Sequence, residues 1–212
     1  MTYVKASVRR PAGNPGNGIQ PKDQLVIYDV DDILYFPPRN EAGVVIEEDI
    51  VMKAGRYAIG IYLTPGTAEI SSNSDGETDA EGYTPSVKFN HPGNEQEIRE
   101  FKTNWLSKKC IVVLRYCSGK PADLIGTPCN PSKLSVSYTG SNESNTNELT
   151  FTQISKGDDI AIYRGTDTLE EPVAVVEAGA TDIDYQTDGQ YQLSAGAAKI
   201  AGVTGGSHGS VI

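Results

Sequence analysis

Short apolar segments separated by turn-forming residues recur along most of the chain. Residues 56–64 alternate between apolar and other side chains, with Tyr57, Ile59, Ile61 and Leu63 on one face, and this period of two predicts a strand. Residues 134–138 and 148–154 alternate in the same way on either side of a polar stretch, which predicts a hairpin. Residues 110–117 are almost continuously apolar and predict a central strand that is covered on both faces.

One segment instead has helical periodicity. Its apolar stripe consists of Ile98, Phe101 and Trp105. Asn94 can cap the helix, and Glu97, three residues later, would complete a capping box. The pattern predicts a helix over residues 94–107 that packs on a sheet through its apolar stripe.

Residues 73–82 form an acidic stretch between two segments typical of strands. We expect a hairpin here with a long acidic tip. Pro85 lies in the second segment and cannot donate a ladder hydrogen bond, so it favours an edge position for that strand.

Both ends of the chain are rich in glycine or proline and lack periodicity. The sequence therefore predicts flexible arms over residues 1–22 and 201–212, with a single domain over residues 23–200. Short strands at residues 172–176, 182–185 and 190–194 extend this domain. The predicted fold class is all-β, a β-sandwich or barrel with one packed α-helix.

Charge is distributed unevenly along the chain. The net charge is −10, but residues 1–22 carry +4, residues 23–100 carry −11, residues 101–120 carry +5 and residues 121–212 carry −8. The acidic excess disfavours binding of nucleic acid by a general basic surface. Blocks of alternating sign would allow copies of the chain to pair with one another.

The sequence contains no motif typical of an enzyme active site. It lacks a nucleophile elbow, a phosphate-binding loop and a dinucleotide fingerprint, and His91 is the only histidine outside the ends. We expect no enzymatic activity, no cofactor and no metal. Two alternatives remain open: calcium bound by the carboxylates of residues 75–81, and carbohydrate binding by some of the 11 tyrosines.

No apolar run is long enough to span a membrane, and the first residues lack the apolar stretch of a signal peptide. The three cysteines cannot form a closed disulfide framework. These features predict a protein that is made in a cytoplasm and has no membrane partner.

The order of elements over residues 24–165 resembles the tail tube (major tail) proteins of tailed bacteriophages, of the type found in phages of Bacteroides-like hosts. The similarity lies in an arm, a strand followed by the string at residues 29–39 (DVDDILYFPPR), an acidic hairpin, the string at residues 89–98 (FNHPGNEQEI) leading into a helix, and then a buried strand and hairpins.

The resemblance implies a structural virion protein, assembled in the bacterial host cytoplasm. Its copies would form rings, expected to be hexameric, which stack into a tube for DNA ejection. Loops and terminal arms would tie the rings together. The tube would contact other virion proteins, and DNA would pass an acidic lumen without specific binding. Another phage structural role, in head decoration, the capsid or the head–tail connector, is the alternative.

Charge suggests which residues would make contacts between copies. The acidic hairpin would present its carboxylates to basic residues of the arm and of the segment 102–120. The candidate self-assembly residues are Arg9, Arg10, Asp75, Glu77, Asp79, Glu81, Lys102, Lys108 and Lys109.

Overall fold

A computed structural model describes residues 6–169 and, beyond them, four short strands. The chain divides into two compact units, Met1–Leu169 and Glu170–Ile212. The single domain expected over residues 23–200 spans this boundary and stays a prediction.

The described residues of the first unit contain twelve strands and one α-helix, α1 (Gln96–Trp105). Its strands are β1 (Pro21–Asp29), β2 (Ile33–Tyr35), β3 (Val45–Ile46), β4 (Val51–Met52), β5 (Ile59–Tyr62), β6 (Glu69–Asp75), β7 (Gly82–Pro92), β8 (Cys110–Tyr116), β9 (Ala122–Ile125), β10 (Ser132–Gly140), β11 (Asn145–Gln153) and β12 (Ala161–Tyr163). The all-β fold with one packed helix is therefore confirmed.

Ten of these strands form one hydrogen-bonded sheet that folds into two layers at β8. Strand β8 pairs with β1 along one edge and with β9 along the other, whereas it meets β10 only through Cys110 and Ser132. The first layer, here called the covered sheet, has the order β5-β1-β8-β9-β12-β3, and the second, the open sheet, has the order β10-β11-β7-β6. Strands β2 and β4 pair separately.

The main core lies between the two layers and under α1. Phe89 and Phe151 of the open sheet stack at 6.5 Å, and both are fully buried. Ile98 of α1 is buried against the same core, while Phe101 and Trp105 are half-buried at its margin. The apolar stripe of the helix thus packs on the sheet as its spacing predicts.

A second core covers the opposite face of the covered sheet. Alternate residues of β8 face different cores, so that Val112 belongs to the first and Val113 to the second. Tyr28 and Tyr163 fill this second core and are fully buried. The prediction of a central strand covered on both faces is confirmed for β8.

The helix begins later and ends earlier than its pattern predicts, and the capping box does not form. Glu95 occupies the N-cap position without a side-chain hydrogen bond. The side chain of Asn94 instead accepts a hydrogen bond from Lys102 Nζ at 3.0 Å. The ammonium group of Lys102 competes for the amide oxygen that a cap would use.

The acidic hairpin has a shorter tip than expected, because β6 continues to Asp75 and leaves only residues 76–81 outside the strands. The edge position expected from Pro85 is wrong, since β7 lies between β6 and β11. Pairing with β11 ends at Ser86, so the missing N–H of Pro85 breaks no ladder hydrogen bond on that side.

The second unit is described only as two pairs of parallel strands. Strand β13 (Ala174–Val176) pairs with β15 (Tyr191–Leu193), and β14 (Asp182–Asp184) pairs with β16 (Gly202–Thr204). Strand β16 lies within residues 201–212, whose flexibility stays a prediction. At the other end, Pro21 and Lys22 belong to β1 rather than to the arm.

Candidate self-assembly surfaces

The outer face of the open sheet is polar over most of the region where its strands pair, with Pro92, opposite Thr146, as an exception. Alternation turns Leu134, Leu149 and Phe151 toward the core, and their neighbours in sequence therefore face outward. Three rows of paired residues cross this outer face. They are Lys133–Thr152–Ser86–Ser71, Ser135–Thr150–Lys88–Glu69 and Ser137–Glu148–Asn90. These rows are rich in hydroxyl groups, with no aliphatic side chain among them.

The open sheet also has two edges with unused backbone groups. Among the described residues, β6 pairs with β7 alone, and β10 pairs beyond β11 only at Ser132. All pairs between these edges are antiparallel, so an even number of strands makes β6 and β10 run in opposite directions. Unpaired edges of this kind can add a strand from another chain.

The acidic tip of the β6–β7 hairpin is a tight turn with exposed carboxylates. Gly76 allows the close approach, because a Cβ there would lie 2.2 Å from the carbonyl oxygen of Ala80. Asp79 adopts a left-handed backbone with φ of 71°. The side chains of Glu77, Asp79 and Glu81 form no ion pair with the described residues.

Asp75 differs from the other tip carboxylates, because its charge already has a partner in the same chain. Lys156 Nζ lies 3.2 Å from Asp75 Oδ2, and the backbone N–H of Gly76 donates to Oδ1 at 2.7 Å. The Lys156 hydrogen bond, followed by that of Gly76, lowers the pKa of Asp75.

Lys102 is engaged within its own chain. Its Nζ donates to Asn147 Oδ1 at 2.6 Å and to Asn94 Oδ1 at 3.0 Å, and it lies 5.1 Å from the ring centroid of Tyr138. Desolvation, with the nearby charge of Arg99, lowers the pKa of Lys102. The side chain therefore joins α1 to β11.

Lys108 also has partners within the chain, whereas the remaining basic candidates are free for other contacts. Lys108 forms an ion pair with Asp29, whose hydrogen bond raises the pKa of Lys108. Lys109, Arg9 and Arg10 are exposed. The structure brings none of the acidic candidates together with these basic ones, and their contact between copies stays a prediction.

Two features of the open sheet escaped sequence reasoning, namely its free edges and its polar outer face. The second had a visible signal, since Lys133, Ser135, Ser137 and Thr139 alternate with apolar residues. The free edges had no such signal in the sequence, because pairing between distant segments decides which strand lies at the edge of a sheet.

The calcium and carbohydrate alternatives depend on the tip carboxylates and on exposed tyrosines. Among the described residues, the exposed tyrosines lie on separate segments, namely Tyr35, Tyr57, Tyr62, Tyr83 and Tyr138. No group of three or more potential metal ligands converges in the part of the chain that the structure describes. His91 Nδ1 lies 2.9 Å from the carbonyl oxygen of Tyr62, where it links β7 to β5.

The three cysteines differ in their exposure. Burial raises the pKa of the Cys110 thiol to about 12, while Cys117 and Cys129 are exposed thiols.

Within the described residues, no helix has the length and apolarity needed to cross a bilayer.

Comparisons of the chain with protein-family models, with curated proteins and with solved structures found no match. What supports a function is therefore the geometry of the open sheet and the arrangement of charge.

Proposed function

We propose that the protein is a structural virion protein, the self-assembling subunit of a phage tail tube that forms a conduit for DNA. The observation that supports this most directly is the open sheet, which combines two free edges of opposite direction with a polar outer face.

In the proposed ring, β6 of one copy pairs with β10 of the next. This contact is heterologous, and a heterologous contact forms a closed ring when its rotation closes. The opposite directions of the two edges make each junction antiparallel, so the sheet continues from copy to copy in a single pattern. Closure also leaves no sheet edge exposed.

The outer face of the open sheet then lines the lumen. Its three rows contain two basic side chains, Lys88 and Lys133, and two acidic ones, Glu69 and Glu148, with a Lys88–Glu69 ion pair at 3.5 Å. A neutral face rich in hydroxyl groups gives DNA phosphates few cations to bind. This lining replaces the acidic lumen that the resemblance implies, and it still lets DNA pass without specific binding.

The remaining features of the proposal follow the resemblance. The rings are hexameric and stack into a tube, with contacts to other virion proteins, and the tube is assembled in the host cytoplasm. A role in the head or the connector would use the same edges in a different assembly.

Electron microscopy and sedimentation of the purified chain test the proposal. We expect rings or tubes of uniform width. A chain that stays monomeric at every concentration contradicts self-assembly, and closed particles without a central channel favour the head or connector role.

A pair of matched variants tests the junction itself. Asn73 and Ser135 lie on the outer face at the two edges, so N73D/S135D/S137D places like charges across it. This variant should remain monomeric, while N73D/S135K/S137K should assemble. Equal assembly of both variants would show that β6 and β10 do not meet.

A further inference from the structure

The N-terminal arm is a basic segment that joins the rest of its described chain near its end, where the carbonyl oxygen of Gln20 accepts a hydrogen bond from the backbone N–H of Cys117. Residues 6–20 are all exposed, and Val8 is 97% exposed. Val4, Ala6 and Val8 alternate with other side chains, a pattern that suits a strand. Arg9 and Arg10 follow directly, and residues 1–22 contain no acidic side chain. Such a segment has both apolar and cationic groups available for a partner.

The small β2–β4 sheet presents the matching surface. Ile33 and Met52, which pair across it, pack on the second core. Leu34, Tyr35 and Val51 remain 67%, 45% and 43% exposed. We call these three residues, together with Asp31 and Glu48, the β2–β4 patch.

The two carboxylates of the patch are available to a cation. Asp31 is exposed and its carboxylate has no ion pair among the described residues, although Lys53 Nζ donates to its backbone carbonyl oxygen. Glu48 only accepts a hydrogen bond from Tyr35 Oη at 3.2 Å. Their neighbours are already used, since Asp32 pairs with Arg56 at 3.4 Å and Glu47 with Arg164 at 3.0 Å.

The acidic hairpin tip is a weaker match for the arm. Its exposed carboxylates, Glu77, Asp79 and Glu81, are accompanied only by Gly76, Thr78 and Ala80. The tip therefore offers charge but little large apolar surface for Val8, since Tyr83, 42% exposed, is the one large hydrophobic residue beside it in the described part of the chain. The β2–β4 patch offers both, and the ring of Tyr35 can also stack with an arginine guanidinium.

We propose that the β2–β4 patch holds the N-terminal arm of a second copy of this chain. Val8 contacts Leu34 and Val51, while Arg9 and Arg10 lie beside Glu48 and Asp31. The inference rests on the proposed self-assembly but uses a surface separate from the β6 and β10 edges, so the arm links copies independently of the junction between edges.

Cross-linking between two full-length variants tests this contact. Both carry Cys117→Ser and Cys129→Ser, one also carries Val8→Cys and the other Leu34→Cys, and a tag distinguishes their masses. A short bismaleimide is added to the mixture. The matched control replaces Leu34→Cys with Glu77→Cys at the hairpin tip. We expect several-fold more cross-linked heterodimer for the patch than for the tip.

The same mixtures are analysed by sedimentation, which separates this inference from the proposed function. Rings without patch cross-links above the control overturn the arm contact and leave the tube. Patch cross-links without rings support the arm contact and overturn the tube. A Val8→Cys/Leu34→Cys double variant that cross-links only within one chain overturns the contact between copies. Adding Glu48→Gln should lower the patch cross-link yield, while adding Glu81→Gln should not.

Discussion

The covered and open sheets differ in how many of their faces are packed. Both faces of the covered sheet are packed, so neighbouring residues of β8 are buried alike. The open sheet buries one face and leaves the other polar, as β11 shows by alternating between buried and more exposed residues. The first arrangement supports stability, while the second leaves a face and two edges free for other copies.

The largest effect is expected in β11, where burial changes from one residue to the next. Phe151→Ala should lower the free energy of unfolding by about 3–5 kcal/mol, because Phe151 is fully buried against Phe89. Thr150→Ala should change it by less than about 0.5 kcal/mol. Chemical denaturation measures both, and similar losses would mean that the outer face is also packed.

In β8, by contrast, substitution of either of two adjacent residues should lower the free energy of unfolding. Val112→Ala and Val113→Ala should each cost about 2 kcal/mol, because the two side chains are buried in different cores. Denaturation midpoints provide the measurement. A loss for Val112→Ala alone would show that the second core contributes little to stability.

Alkaline pH tests the polar contacts of the second core. Tyr28 donates a hydrogen bond to Asp167 Oδ1 at 2.5 Å, and burial, with the charge of Asp167, raises the pKa of Tyr28. The folded state therefore holds this proton more tightly than the unfolded state. Below the ordinary tyrosine pKa of about 10, Tyr28 is protonated in both states and its contribution to the free energy of unfolding does not change with pH. Above that pKa, the free energy of unfolding falls by about 1.4 kcal/mol per pH unit.

Tyr28→Phe should cost about 1 kcal/mol at pH 7 through the lost hydrogen bond and should reduce this alkaline loss. Tyr116 and Tyr163, whose pKa values are also raised by burial, still contribute to the loss of stability at alkaline pH in this variant. Thermal unfolding between pH 7 and 11 gives the slopes. An unchanged alkaline slope would show that Tyr28 ionises as easily in the folded state as in the unfolded state.

The smallest effect on stability is expected at the hairpin tip. Replacing Asp75, Glu77, Asp79 and Glu81 with Asn or Gln removes only exposed charges, and the exposed Asp75–Lys156 pair contributes about 0–1 kcal/mol. The melting temperature should stay nearly constant, while assembly at low salt weakens. Sedimentation across a salt series measures this, and normal assembly of the quadruple variant would exclude the tip as a contact.

Local patterns predicted those elements whose burial follows a single period. The apolar run of β8 and the alternation of β10 and β11 were sufficient to predict these strands, because each pattern indicates directly how many faces of the strand are covered. Strand β9 was not predicted, since Ala122–Ile125 is short and its order depends on pairing with β8 and β12. The cap at Asn94 failed because Lys102, eight residues away, binds the same amide.

The candidate contacts show the same division between sequence and tertiary structure. Charge along the chain indicated an acidic hairpin and a basic arm, and the carboxylates of the tip and residues 6–20 of the arm are exposed. Only the fold showed that Lys102 and Lys108 have partners within the chain, since Asn147 and Asp29 lie 45 and 79 residues away from them.

The sequence by itself determined that the protein is all-β with one helix, because apolar periodicity is a local property of strands and helices. The tertiary structure decided which strands end the open sheet, which charges remain free and where Leu34, Tyr35 and Val51 form an exposed patch. These features depend on pairing between segments that are distant in the sequence. The hydrophobic periodicity of a segment does not show which distant strand will pair with it or cover it.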